Sequence, residues 1–234
     1  MTTHHVITVD GLAASGKSTL SRMLAEKLGY VHFNSGMLYR VIGWLAIEKK
    51  IPFQDEEALL RMLAAHGVSL RASAGVIEVL VNGQPVTADL STPHVSQATS
   101  STAVHPRLRE ALLAMQRALT SQCPLVAEGR DMGTVVFPEA ELKFFIWASE
   151  ATRAERRLQQ MAGGGRRSDQ ELNRLKSGLE IEIRERDARD QGRAVAPAVP
   201  AADAIKIENS AKSLTEVLDT MYHFALARGL APHS

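Results

Sequence analysis

Apolar and polar positions alternate along this chain with two different periods, and the changes between them mark out its elements. After a short polar start, Val6-Ile-Thr-Val9 is an apolar, β-branched run that gives way at Asp10-Gly11 to small residues. Leucines then recur at 20, 24 and 28. The run reads as a buried strand and the leucine spacing as one face of a helix, so strand, loop and helix are predicted in that order. Tyr30–Asn34 predicts a second short strand, with helices over about 37–48 and about 55–65, the latter with Leu59, Leu60 and Leu63 apolar.

The period then shortens to two. Val68–Arg71, Val76–Val81 and Pro85–Ala88 alternate as strands do, and Asn82-Gly83 is a hairpin turn. A small antiparallel sheet is predicted, inserted between helices of about 50–65 and 92–121. Such a ribbon does not readily join a parallel sheet built from strand–helix–strand units, so it is expected as a satellite lobe, either decoration or a substrate-side wall.

From Pro106 the helical period returns through Leu108, Leu112, Leu113, Met115 and Leu119. Leu125-Val-Ala and Leu142–Ala148 read as buried strands. Helices begin near Glu150 and Asp169 on either side of Gly163-Gly-Gly165. In the second of these, Leu172, Leu179, Ile183, Arg186, Asp190 and Arg193 form one stripe, apolar at its start and charged at its end. Pro197 and Pro200 stop it, Ala204–Ile207 is a last strand and Leu214–Ala227 a last helix. The class is α/β, with a central parallel sheet, helices around it, the antiparallel insert and a helical lid.

Composition narrows the function. A chain of 234 residues with 45% apolar content supports one α/β domain with an insertion. Its 27 basic and 26 acidic residues leave a formal charge of +1, which argues against a nucleic-acid partner. Cys123 is the only cysteine, so an internal disulfide and a cysteine zinc site are excluded. No apolar run reaches the roughly 18 residues of a membrane span, and a cytoplasmic monomer is expected.

The chemistry starts at the first loop. Gly11 to Ser18 fit G-x-x-x-x-G-K-[ST] in the strand–loop–helix setting that motif requires. Small residues let successive backbone N–H groups curl around a phosphate, and the helix behind them aims its positive end at the same anion. Lys17 reaches the outer phosphates in such a loop and Ser18 ligates Mg²⁺. Ala14 stands mid-loop, and a left-handed backbone there would cost alanine on the order of 1 kcal/mol.

Arginines supply the second signal. Ser35 fits an N-cap. Tyr39 and Arg40, one turn on, fit surface packing or a phosphate in front of that helix. Arg107 and Arg109 stand where a cation opposes the helix dipole, an unfavourable place unless an anion or carbonyl is near. Arg130 and Asp131 follow a strand's carboxyl end, where open α/β sheets bind ligands. Arg153, Arg156 and Arg157 share one helix face, and the glycine-rich tip with Arg166-Arg167 has the composition of a phosphate-covering flap or of a solvated loop.

Together the phosphate loop, N-S-G-x-L-Y-R (34–40), P-R-L-R-E-A-L (106–112), E-G-R-D-M-G-T-V-V-F-P (128–138) and R-D-A-R-D-Q-G-R-A-V-A-P (186–197) resemble the bacterial cytidylate kinases, from about residue 5 to 226. The G-R-D-M-G-T-V-V-F-P block is specific to that family. The resemblance implies transfer of the γ-phosphoryl group of ATP to CMP or dCMP, with Mg²⁺. It implies that Gly11, Ala13, Ala14, Ser15, Gly16, Lys17, Ser18 and Thr19 hold the ATP phosphates. Ser35, Arg40 and Arg130 would meet the monophosphate, with Tyr39 lining it, while Ser100, Arg109 and Asp131 would read cytosine. Arg186 and Asp190 would contact the acceptor's phosphate and sugar, Arg193 the transferred phosphate, and Arg153, Arg157 and the tip at 163–167 would form the lid. Lys17, Arg130, Arg157, Arg186 and Arg193 are the expected catalytic set. The implied division is a core of 1–34, 105–157 and 190–234, a monophosphate lobe of 35–104 and a lid of 158–189. Leu12 and Ala14 depart from the family's usual proline and glycine, Asn34 from an aspartate, and Ser91 from a basic residue.

The residues suit the chemistry. The acceptor is a phosphate oxygen, whose second pKa of about 6 leaves it largely anionic, so no general base is needed. What must be overcome is repulsion between two anions, which Lys17, Mg²⁺ and arginines offset. A GTPase-like switch would want an N/T-K-x-D guanine motif, which is absent from the sequence; another small-molecule P-loop kinase is the nearer alternative.

Overall fold

The computed structural model describes residues 4–161, 169–192 and 196–230. In chain order the first elements are β1 (Val6–Gly11), α1 (Lys17–Leu28), β2 (Val31–Asn34), α2 (Ser35–Glu48) and α3 (Glu56–Ala65). The insert follows as β3 (Ser69–Ser73), β4 (Val76–Val81) and β5 (Gln84–Pro85), then α4 (Pro93–Thr102) and α5 (Pro106–Arg117). The remainder is β6 (Leu125–Gly129), β7 (Leu142–Trp147), α6 (Glu150–Met161), α7 (Asp169–Gln191), β8 (Ile205–Glu208) and α8 (Leu214–Ala227).

The parallel strands run in the order β2-β6-β1-β7-β8, with β1 buried throughout its length. Its register pairs Asp10 with Gly129 on one side and Gly11 with Ile146 on the other, while Asn34 pairs with Glu128. Four strand ends and the loops that leave them therefore meet at one edge of the sheet.

Apolar faces hold this sheet from both sides. Leu20, Leu24 and Leu28 of α1 are fully buried in one cluster with Ile7, Val9, Phe144 and Met221 of α8. Each such side chain contributes roughly 1.5–3 kcal/mol by leaving water. α1 stops at Gly29, whose φ of 66° suits glycine. α8 begins at a reciprocal capping box between Ser213 and Glu216. Phe33, Leu119, Met132 and Phe137 cover the opposite side of the sheet, and Leu38, Ile42, Leu59, Leu108 and Leu112 form a further core between α2, α3 and α5.

The insert is built as expected but is not separate. β4 runs parallel to β2 and pairs with it at Val76 and His32, and the His32 N–H donates to the Gly75 carbonyl at 2.8 Å. The outer edge of β2 carries N–H and C=O groups that want partners, and one bridge to the ribbon meets that need. The third ribbon strand ends at Pro85 rather than Ala88; beyond it the Val86 N–H still donates to the Val79 carbonyl, at a long 3.3 Å. The region 92–121 is two α-helices and a final 3₁₀ turn at Ala118–Ser121. Pro106 holds His105 in an extended conformation (φ −76°, ψ 119°) and separates them.

α2 and α4 pack with no clearance. A Cβ on Gly43 would stand 2.7 Å from the Thr99 backbone nitrogen and 3.0 Å from its Oγ1. Only glycine lets these helices come so close.

Candidate active site

The phosphate loop is gripped from behind. Arg153, 2% exposed, donates to the Ala13 carbonyl at 3.3 Å and pairs with Asp187 at 2.5 Å. Arg156 and Asn209 both donate to the Ser15 carbonyl, at 3.2 and 2.8 Å. A Cβ at Gly11 would collide with the Ile146 carbonyl, and one at Gly16 would lie 2.6 Å from Asn209 Nδ2. Ala14 adopts φ 57°, the left-handed conformation that costs a residue with a Cβ.

On the front of the loop, Lys17 Nζ lies 3.4 Å from the Leu12 carbonyl. Burial, with Arg130 beside it, pulls the lysine down to about 7. Ser18 Oγ donates to Glu128 Oε2 at 2.6 Å. Burial raises the Glu128 carboxyl, but its bond to His32, the nearby Lys17 charge and the Ser18 hydroxyl outweigh that and hold it below the usual range. His32 Nε2 stands 3.5 Å from the other carboxylate oxygen and 3.1 Å from Ser21 Oγ.

Two cavities open from this loop. One, of about 280 Å³, is lined by Ser35, Tyr39, Arg40, Ser100, Arg109, Arg130, Asp131, Arg186 and Asp190 among others. The other, of about 600 Å³, is lined by Ala13, Ala14, Gly16, Thr19, Arg156 and Arg157 among others. Lys17, Ser18, Arg40, Arg130 and Arg186 line both, so they form the shared wall.

Within the smaller cavity, Asp131 pairs with Arg109, whose guanidinium also donates to the Ala103 carbonyl and lies 5.3 Å above the Tyr39 ring. Arg40 donates to the Leu90 carbonyl at 2.6 Å and to Ser96 Oγ at 3.1 Å. Arg130 reaches Asp190 at 2.9 Å and the Gly11 carbonyl at 2.8 Å. Burial and Arg130 lower Arg186 to about 10, still a cation at neutral pH.

The structure thus brings every predicted acceptor-side residue to one cavity. Gly11 and Ser15 are not in either wall; both are buried beneath the loop and shape it. Ser35 is not the N-cap. Asn34 holds that position and Ser35 opens α2, its hydroxyl donating to the Glu128 carbonyl at 2.8 Å. Arg107 faces away to Glu57, the counter-anion its position demanded. Arg153 belongs to the support of the loop rather than to a lid. Arg193 and the tip at 163–167 lie outside the described residues.

Glu128, Asp10 and Asn209 were not singled out by the sequence. Glu128 and Asp10 share one signal: an acidic residue closing an apolar strand immediately before glycine. Asn209 follows the last strand and carries no motif of its own.

Phosphate-loop fold, shared cationic wall and two cavities define a P-loop kinase that passes a phosphoryl group from one phosphorylated small molecule to another. Residues 7–226 match the family described as cytidylate kinase. The cytidylate kinase of Aeromonas hydrophila is 44% identical over 220 residues, covering 94% of this chain and 93% of that one. That of Klebsiella pneumoniae is 42% identical, with 94% of both chains covered. The chain belongs to the cytidylate kinase family.

Proposed function

We infer that the chain transfers the γ-phosphoryl group of ATP to CMP or dCMP, with ATP in the larger cavity and the acceptor in the smaller. The observation that carries this assignment is the shared wall: Lys17, Arg40, Arg130 and Arg186 stand between the two cavities, where the phosphoryl group must pass. Guanidinium forks match phosphate oxygens and remain charged, so they offset the repulsion of two approaching anions and the charge that spreads over the transferred group. Lys17 and the loop N–H groups bind the ATP phosphates. Arg40 and Arg130 hold the acceptor phosphate, Arg186 bridges towards the donor, and Arg157 approaches from the donor side.

The site fits Mg²⁺. Ser18 Oγ is an oxygen donor at the helix start, and Glu128 lies 2.6 Å behind it. Mg²⁺ takes one or two protein groups and completes its octahedron with phosphates and water. Ser18 would hold it directly and Glu128 through water; the ion would neutralise phosphate charge.

At the far end of the smaller cavity, cytosine offers an amino donor with acceptors beside it. Asp131 can only accept and Arg109 can only donate, so the pair suits cytosine and opposes the O4 and N3–H of uracil. Ser100 completes the set. Both subsites come from one chain, so the reading needs no second copy, and no described helix is long and apolar enough to cross a membrane. The compartment it implies is the cytoplasm, where its nucleotide substrates are. A coupled assay with CMP, dCMP, UMP and AMP tests the reading. CMP and dCMP are expected as the preferred acceptors; equal or better turnover of AMP or UMP would overturn the base assignment.

A further inference from the structure

Asp131 opens a five-residue turn, Met132–Val136, whose Val135 and Val136 N–H groups return to the Asp131 carbonyl at 2.9 and 3.1 Å. Two charged side chains clamp this turn from opposite ends. At its start Asp10, 3% exposed at the end of β1, accepts from Met132 N with Oδ1 (2.9 Å) and from Gly133 N with Oδ2 (2.8 Å). At its end Arg117 donates through Nη2 to the Val135 carbonyl (2.7 Å) and through Nε to the Val136 carbonyl (2.9 Å).

Arg117 stands about two helical turns after Arg109 on α5. The helix that presents Arg109 therefore also grips the turn that presents its partner. The turn has little freedom elsewhere: a Cβ on Gly133 would lie 2.9 Å from Thr8 Oγ1 and 3.1 Å from Lys143 Cδ. Neither Asp10 nor Arg117 lines either cavity.

We propose that Asp10 and Arg117 are positioning residues for acceptor selection, fixing the separation and orientation at which Asp131 and Arg109 meet the base. The proposal rests on the reading of that pair as the base-recognising pair. Discrimination by paired hydrogen bonds depends on angle and distance, so a reader free to tilt loses selectivity before it loses phosphate binding. Arg117 touches nothing on the donor side, which separates its role from support of the phosphate loop. Asp10 lies nearer that loop, so Arg117 gives the cleaner arm.

The test compares wild type with Asp131→Asn, Asp10→Asn, Arg117→Met and Arg117→Lys, measuring kcat and KM for CMP and UMP, KM for ATP, and thermal melting. Arg117→Met is expected to raise KM for CMP and compress the CMP-to-UMP ratio of kcat/KM, each by about five-fold, with KM for ATP unchanged. Arg117→Lys, which keeps the cation and one donor nitrogen in place of two, should recover part of the ratio. Asp10→Asn retains one acceptor but sets its amide against one N–H, and should shift the ratio the same way. If Asp131→Asn leaves the ratio at the wild-type value, the base-reading assignment itself fails. If Asp131→Asn collapses the ratio while Arg117→Met keeps the wild-type ratio and KM, the positioning proposal fails alone. Equal losses towards CMP, UMP and ATP in Arg117→Met would also overturn it, as a plain effect on stability. Should Asp10→Asn fail to fold, the two Arg117 variants decide.

Discussion

Arg130 and Asp190 meet at 2.9 Å, joining the loop after β6 to the last turn of α7 across the floor of the smaller cavity. The same carboxylate lies 4.0 Å from Arg186. Asp190 and, beside Lys17, Glu128 are thus set among Lys17, Arg40, Arg130, Arg157 and Arg186, fewer negative charges than the cations around them. Burial, then Arg157 and Arg130, lower Arg40. A surplus of confined positive charge is the electrostatic form of a site for two phosphate groups.

Lys17→Ala should abolish phosphoryl transfer while thermal melting stays within a few degrees of wild type. Among the described residues the lysine side chain bonds only to the Leu12 carbonyl, at a long 3.4 Å, so its removal should cost the anion rather than the core. Steady-state turnover measured beside a melt decides it; unchanged turnover would remove the phosphate-loop assignment.

Asp131→Ala should compress the CMP-to-UMP ratio of catalytic efficiencies by roughly 5- to 150-fold, the range of about 1–3 kcal/mol for a good base-edge contact. If Asp131 only shapes the cavity through its pairing with Arg109, both acceptors will suffer equally and the ratio will not move.

Arg157→Ala should lower kcat by about 10²-fold, the scale for losing one donor to developing charge, with little change in KM for CMP. Arg157 bonds only to Gln160 at 3.5 Å among the described residues, so the melt should not respond. A rise in KM for CMP at constant kcat would assign it to acceptor binding instead.

Ala14→Gly should stabilise the protein or leave it unchanged, by up to about 1 kcal/mol, because relief of the left-handed alanine outweighs the added freedom of the unfolded chain. Denaturant titration measures this; a clear loss of stability would show that the Ala14 methyl contributes packing.

Asp10 carries a pH signature. Burial raises its carboxyl from 3.8 to about 6, against the two N–H bonds from Gly133 and Met132 that lower it. The folded protein therefore holds this proton more tightly than the unfolded chain, and the penalty for the ionised form is present in full above about pH 6 and relieved as the pH falls towards about 4. Relative to wild type, Asp10→Asn should lose on the order of 3 kcal/mol of stability over that acidification, because only the wild type gains from it. A difference independent of pH would contradict the buried-acid picture.

Much of the fold was legible because local pattern and global role agree. Val6–Val9 had the apolar β-branched content of a central strand, and Leu214–Ala227 is a helix over the span its periodicity marked out. What escaped was non-local. Whether β4 would find the edge of β2 depends on where two distant segments lie, and a single His32–Val76 bridge leaves no trace in alternation. Asp10 reads locally as the start of a turn, and only the β1–β6 register shows that it faces the N–H groups beyond Asp131. The turn at Met132–Val136 has neither helical nor strand periodicity. Arginines were easy to mark and hard to sort: Arg153 and Arg157 share a helix face in the sequence, yet one is sealed beneath the loop and the other lines a cavity.

The close approach of Gly43 to Thr99 leaves α2 and α4 no room to slide past each other, so the two helices should move as one body. Tyr39 and Arg40 ride on one arm and Ser100 on the other. On the proposed assignment, a displacement that carried Arg40 towards the acceptor's phosphate would carry Ser100 towards its base, so the two ends of the nucleotide would be grasped in one stroke. A residue larger than glycine at 43 would split that stroke into two, and the first property to degrade would be the agreement in timing between holding the phosphate and checking the base.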